Sequence, residues 1–243
     1  MIHFSIQRWA AWSPDFENPE DWQAWVQGER ELNNSKDVPV LQCVEPMLRR
    51  RLSRLSRMAL KVCFDCLENQ NNNIPTVFAS RHGELHRTVN LLYAILKQKT
   101  LSPTDFSLSV HNTSSGLYTI IAKNCAPTTA LAAADSFAYA LIEACGYLLD
   151  YPSVLLVYAD DTVPEIYREF VGVEYPFALA LLLNHEPDTQ GYFLSFQPQS
   201  LQKSATLPHA LSFLKFLISK QTSLQLSDGR LTWLYQYDRH EKA

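Results

Sequence analysis

The chain has 243 residues, 47% of them hydrophobic, and a formal net charge of −4. That composition supplies a substantial core and excludes an intrinsically disordered protein, while the mild acidity leaves no field that would draw in nucleic acid or an anionic membrane surface. The first twenty residues mix apolar positions with Arg8, Asp15 and Glu17, unlike a signal or transit peptide, and no apolar run approaches the roughly 18 residues of a membrane span. A cytoplasmic protein is expected.

Ile2, Phe4 and Ile6 alternate with polar residues and predict a half-buried strand. Asn18-Pro19-Glu20-Asp21 opens a short helix to about Arg30, with proline and acids in its first turn and Trp22 and Trp25 on its apolar stripe. Residues 31–45, with Asn33-Asn34-Ser35-Lys36-Asp37, read as a loop. From Pro46 to about Gln70, Leu48, Leu52, Leu55, Ala59, Val62 and Cys66 recur at helical spacing, so one long amphipathic helix is expected. Arg49, Arg50, Arg51, Arg54 and Arg57 occupy its remaining surface. Asn71-Asn72-Asn73 ends it, and Ile74 to Ala79 reads as a buried strand followed by a helix from Glu84 to Gln98. A helix at 113–123, a strand at 127–134, a helix at 135–149 and an apolar strand at Ser153 to Ala159 follow. Strands at Phe177 to Leu183 and Gly191 to Phe196 join through Asn184-His185-Glu186-Pro187-Asp188. Pro208 precedes a helix from Ala210 to Lys220, and Leu231 to Tyr235 is a last strand. Strands alternate with helices, so the class is α/β, a mixed sheet flanked by helices. No repeat, low-complexity tract or linker interrupts it, and residues 1–243 are read as a single domain.

Five cysteines, at positions 43, 63, 66, 125 and 145, are an odd number at irregular spacing and read as reduced thiols. Cys63 and Cys66 lie inside a helical pattern without a second pair or a flanking turn, which argues against a redox or zinc site. His82 and His86 stand four apart, but the order is not His-Glu-x-x-His and Gly83 places the helix start near Glu84, so a polar turn is read there. No metal and no cofactor is expected.

The stretch from Asn124-Cys125-Ala126-Pro127 to Asp135-Ser136-Phe137 runs from small and β-branched residues straight into a helix. Asp135 therefore lies at a strand-to-helix elbow, where nucleophiles commonly sit. It suits an N-cap of the helix beginning at Ser136, or an acceptor across an interface. Ser136 is the other nucleophile to weigh, although no Gly-x-Ser-x-Gly frame surrounds it and no histidine can be placed beside it. His111-Asn112, ahead of the adjoining helix, reads as a hydrogen-bonding anchor of its loop.

Together with His111-Asn112-Thr113-Ser114-Ser115-Gly116 and Ala126-Pro127, this elbow resembles the N-terminal half of a β-ketoacyl synthase, with recognisable motifs over residues 107–160. The resemblance implies a thiolase-like half fold in which the elbow residue is the acyl-accepting cysteine; here it is Asp135. The family's second half contributes two histidines, and no His-Gly-Thr-Gly-Thr-like or Asn-x-Phe-Gly-Phe-Gly-like segment occurs in this sequence. Claisen condensation needs a thiolate and donors that stabilise an enolate, so no condensing activity is expected.

The resemblance further implies a dimer in which the strand at 127–134 pairs antiparallel across a two-fold axis. Thr128, Thr129, Ala130, Leu131, Ala132, Ala133 and Ala134, with His111 and Asn112, become interface candidates, and Phe106, Leu108, Val110, Leu117 and Tyr118 become candidates for capping a partner's acyl tunnel. Such a protein is similar to the short chain length factors of aryl polyene pathways, which accompany a full-length β-ketoacyl synthase. An acidic acyl carrier protein would then dock on Arg49, Arg50 and Arg54. A half fold is expected to leave apolar faces open for a twin and an uncharged strand edge open for pairing. Two rival expectations stand beside this one: an independent acyl hydrolase or acyltransferase using Ser136 or Asp135, and a scaffold with no tunnel role.

Overall fold

The computed structural model describes residues 2–68, 73–171, 174–184, 190–198 and 207–239. Its strands are β1 (Ile2–Trp12), β2 (Thr76–Ala79), β3 (Thr128–Leu131), β4 (Ser153–Asp160), β5 (Phe177–Asn184), β6 (Gln190–Pro198), β7 (Ser223–Ser227) and β8 (Leu231–Arg239). They form one mixed sheet in the order β3-β2-β4-β5-β1-β6-β8-β7. β3, β2 and β4 run parallel, and every later pairing across the sheet is antiparallel. The helices are α1 (Pro19–Gln27), α2 (Pro46–Arg49), α3 (Arg54–Cys66), α4 (Leu85–Leu96), α5 (Pro103–Ser107), α6 (Thr113–Ala122), α7 (Ser136–Tyr147) and α8 (His209–Ser219).

The apolar run in β5 follows from its position, because helices cover both faces of the sheet there. Leu179, Leu181 and Leu183 face one core with Phe137 and Leu141 of α7 and Phe213 of α8. The intervening Ala178, Ala180 and Leu182 face a second core with Met58 and Val62 of α3 and Tyr118 of α6. Successive side chains along a strand point to opposite faces, so one strand serves both layers.

Several expectations change in the structure. The single helix expected from Pro46 to Gln70 is two, α2 and α3, and Ser53 makes the break by capping α3 through a 3.0 Å bond from the Ser56 N–H to its hydroxyl. β3 ends at Leu131, short of the expected 134. The connection through His185-Glu186-Pro187-Asp188 and the helix end at Gln70-Asn71-Asn72 lie outside the described residues. β1 continues to Trp12 and is an interior strand, paired on both sides by β5 and β6. One face of α7 is covered by α8 and the β7–β8 hairpin, with Tyr139 set edge-on against Trp233 and Phe137 packed on Phe213.

Candidate functional site

The elbow is built by β3, the small residues Ala132, Ala133 and Ala134, and the start of α7. Asp135 caps α7, one carboxylate oxygen accepting the Ala138 N–H at 3.3 Å. Its other oxygen bonds Nδ1 of His209, the first residue of α8. Nε2 of the same ring is 2.6 Å from the Tyr235 hydroxyl on β8. The rings of Phe137, Trp233 and Tyr235 surround His209. Burial first, and then the charge of Asp135, holds the Tyr235 phenol well above its usual range, so it stays protonated. Both imidazole nitrogens are thus engaged inside the protein, which leaves His209 no site to take a proton from a substrate. The chain Asp135–His209–Tyr235 joins the elbow to the C-terminal helix and hairpin.

Sequence reasoning found Asp135 and its capping role and missed its two partners. His209 lies 74 positions away and Tyr235 a further 26, and no local pattern connects them to the elbow. Ser136 is buried, and its hydroxyl donates to the Ala133 carbonyl at 2.9 Å while accepting the Ala133 N–H at 3.0 Å. This local loop occupies the hydroxyl proton, and among the described residues no histidine hydrogen-bonds it, so the arrangement of an activated serine is not formed there.

Next to the elbow, the C-terminal ends of β2 and β4 gather a polar cluster. Asp160 accepts from the Ser80 hydroxyl at 2.7 Å, the Tyr158 hydroxyl at 2.8 Å and the backbone N–H groups of Arg81 and His82. Burial still pushes its carboxyl above the ordinary range, against these bonds. His82 Nε2 meets Glu174 at 2.9 Å, and His86 Nε2 meets the Thr162 carbonyl at 2.6 Å. The two histidines therefore fasten the segment after β4 to the start of α4. No group of three metal-ligating side chains occurs among the described residues. A cavity of about 490 Å³ opens between this cluster and the elbow.

The sequence profile of the β-ketoacyl synthase N-terminal domain matches residues 22–236. The chain belongs to the β-ketoacyl synthase family. Among solved structures, a chain of the ketosynthase ApeO in complex with its chain length factor ApeC from Xenorhabdus doucetiae matches with a TM-score of 0.84 and 30% identity, over 97% of this chain and 100% of that one. The ishigamide ketosynthase/chain length factor matches at a TM-score of 0.63 and 16% identity, over 82% of this chain and 68% of that one. A β-ketoacyl synthase from Burkholderia phymatum matches at 0.61 and 9%, over 91% and 71%; these last two share the fold. A search of curated protein sequences gives no significant match. The mixed sheet flanked by helices is thus the thiolase-like ketosynthase fold.

In this ketosynthase-like frame the remaining candidate residues fall into distinct settings. β3 is an edge strand with Thr128 and Ala130 exposed, while Thr129 Oγ turns back to Glu143 at 3.1 Å and Tyr147 at 3.0 Å. Leu131 and Ala133 are half-buried, and Ala132 and Ala134 are exposed. Phe106, on the helix α5 that packs against α4, and Val110 stand out at 65% and 48% exposure, and Leu108 is half-buried. Leu117 and Tyr118 sit in the core, Tyr118 against Phe64 and Phe78, so they support α6 from beneath and present nothing outward. His111 Nε2 bonds the Ser80 carbonyl at 2.9 Å, and the Asn112 carbonyl accepts from Ser115 and Gly116. The arginines divide likewise. Arg50 is exposed, Arg49 donates to the Leu41 carbonyl at 2.9 Å, and Arg54 reaches Asp161 at 3.2 Å and the Ser35 carbonyl at 2.6 Å with its side chain only 16% exposed.

Proposed function

We propose that the protein is a chain length factor, a non-catalytic partner that pairs with a full-length β-ketoacyl synthase and helps set product length in polyketide-type, aryl polyene-like synthesis. The observation that carries this reading is the near-complete alignment, at 30% identity, with a chain of a ketosynthase–chain length factor complex. The elbow supports it. A carboxylate stands where the family's thiol accepts the acyl chain, and it is tied up by a helix cap and a buried histidine. The partner synthase supplies the cysteine and histidines, and residues 1–243 act as one domain in the cytoplasm. No helix among the described residues is long and apolar enough to cross a membrane.

The partner surface is the open β3 edge, with the exposed apolar groups Phe106 and Val110 as further contacts, because an uncharged edge strand is a ready template for pairing. An acidic carrier protein meets the exposed Arg50, with Arg49 beside it; Arg54 is already engaged by Asp161. Co-expression with full-length synthases, followed by native mass measurement, tests the pairing. The expected result is a one-to-one heterodimer that elongates a malonyl-derived chain, while the isolated protein neither elongates nor decarboxylates malonyl carrier. Ala130→Lys, at an exposed edge position, should reduce co-purification without unfolding the protein. A monomer that ignores every synthase, or elongation by the isolated chain, would overturn the proposal.

A further inference from the structure

The apolar stripe of α4 runs off the edge of the fold. Leu85, Val89, Leu92 and Leu96 recur at i, i+4, i+7 and i+11, which sets them along one side of the helix. At the N-terminal end the stripe enters the protein, with Leu85 half-buried and Val89 4% exposed. At the other end it faces outward, with Leu92 48% and Leu96 76% exposed. The root of the helix is fixed. Buried Glu84 accepts from the Ser53 and Ser56 hydroxyls at 2.7 and 2.8 Å, and Arg87 donates to the Arg51 carbonyl and to Asp105 of α5. Beyond that root, the five-residue α5 is the element packed most closely on α4.

A helix of 12 residues is marginal by itself in water and relies on the packing of its apolar side. The periodicity therefore specifies a helix covered along its whole length, and the described residues cover only its first half. Tyr93 and Ile95 widen the open part, and α5 adds Phe106. These five side chains present on the order of 500 Å² of apolar surface, the size at which a patch marks an interaction site. Other exposed apolar residues, such as Val40, Leu149 and Phe170, belong to separate segments. The surface also says what fills the gap. A stable pairing buries about 800 Å² on each partner. The β3 edge has four residues, about 13 Å of strand, with Thr128 and Ala130 exposed, and falls far short of that area. Lys97 and Lys99 flank the open end of α4 without an ion pair among the described residues, and Asp105, the one carboxylate between positions 92 and 110, is taken by Arg87. A second copy of this face thus has no free carboxylate to set against the lysines.

We infer that the C-terminal half of α4, with Phe106 of α5, is the main apolar contact for the full-length synthase, which seats a hydrophobic groove on Leu92 and Leu96 and sets carboxylates at the rim near Lys97 and Lys99. Helix-in-groove docking reads anchors at i, i+3, i+4 and i+7, the spacing that this stripe has. The inference rests on the proposed pairing and adds where its affinity is gathered.

Affinity for the synthase that co-purifies with the protein, measured by biolayer interferometry, tests it. Leu92→Gln with Leu96→Gln removes the stripe at open positions, so the isolated protein should keep its melting curve while the complex weakens about tenfold or more. Val40→Gln, at 63% exposure in another segment, should leave the affinity unchanged. Lys97→Glu with Lys99→Glu should slow association at low salt, and the difference from the parent should shrink at high salt. Equal affinity of the Leu92/Leu96 variant and the parent sinks this inference and leaves the chain length factor reading intact, whereas failure of the parent to pair with any synthase sinks both. Self-association of the isolated protein, or its binding to anionic lipid vesicles, abolished by the same variant, would assign the face to a second copy or to a lipid surface and overturn the inference as well.

Discussion

Replacing Asp135 by alanine removes two interactions at once. The 3.3 Å bond from the Ala138 N–H closes the first turn of α7, and loss of such a cap costs about 1 kcal/mol. The bond to His209 joins side chains only 8% and 9% exposed, and leaving a buried imidazole donor without its acceptor costs about 1–3 kcal/mol more. The sum, about 2–4 kcal/mol, corresponds to a fall of about 4–16 °C in melting temperature for a chain of this size. Asp135→Asn keeps one acceptor oxygen, which can serve the cap or His209 but not both, and turns its NH2 toward the other partner, so its loss should be about 1–3 kcal/mol. Asp135→Cys, which gives the elbow the residue that the proposed reading assigns to an active synthase, should destabilise like alanine without conferring elongation. Thermal unfolding at neutral pH, followed by circular dichroism, measures all three. His209→Ala added to Asp135→Ala should cost less than its effect in the parent, because the two residues share one bond. An alanine variant that melts within about 1 °C of the parent would refute the account of the elbow as a structural latch.

Three further outcomes follow from the geometry. Gly83 has a φ of +56° and its Cβ position lies 2.9 Å from His111 Cδ2, so Gly83→Ala should cost at least about 1–2 kcal/mol in chemical denaturation; a neutral effect would show that the turn relaxes freely. Burial pushes the Glu174 carboxyl up, but the bonds from His82 and the Val163 N–H, with the His82 and Arg81 charges, outweigh it and hold the carboxyl below its ordinary 4.5. Because its folded-state value is depressed, its contribution is present above that pH and is lost as the pH falls below it. The stability of Glu174→Gln should therefore decline less steeply on acidification below about pH 5, and parallel pH profiles would contradict the assignment. Arg54→Glu places a carboxylate against Asp161 and should destabilise the fold by about 3 kcal/mol or more, whereas the exposed Arg50→Glu should leave the melting curve unchanged and weaken carrier-dependent activity of the complex. Unchanged carrier kinetics in the Arg50 variant would remove the docking role.

The elements legible in the sequence are those encoded by near neighbours. Alternation in Ile2-His3-Phe4, the apolar run before Asp160 and the cap-and-proline start at Asn18-Pro19 each report a local periodicity, and β1, β4 and α1 appear there. Two short elements carried signals that went unread. Ser102-Pro103 begins α5 with a capping serine, and Leu224 and Leu226 alternate with polar residues in β7. The break at Ser53 was harder to see, because leucines on both sides of it face the same core and preserve helical spacing across a chain that is not helical there.

By itself, the sequence determined the α/β class, the order of most elements, the carboxylate at the elbow and its aptitude for capping, since all of these depend on residues within a few positions of one another. Only the tertiary structure decided what that carboxylate does. A buried carboxylate is kept by whatever partner the fold brings to it, and here α8 and β8 cross the face of α7 and deliver His209 and Tyr235. The same crossing covers one face of α7, while β3, paired among the described residues only with β2, keeps an open edge. Arg54 turns inward to Asp161 because pairing depends on which loops meet in space, and that is set by the sheet order, which local pattern does not encode.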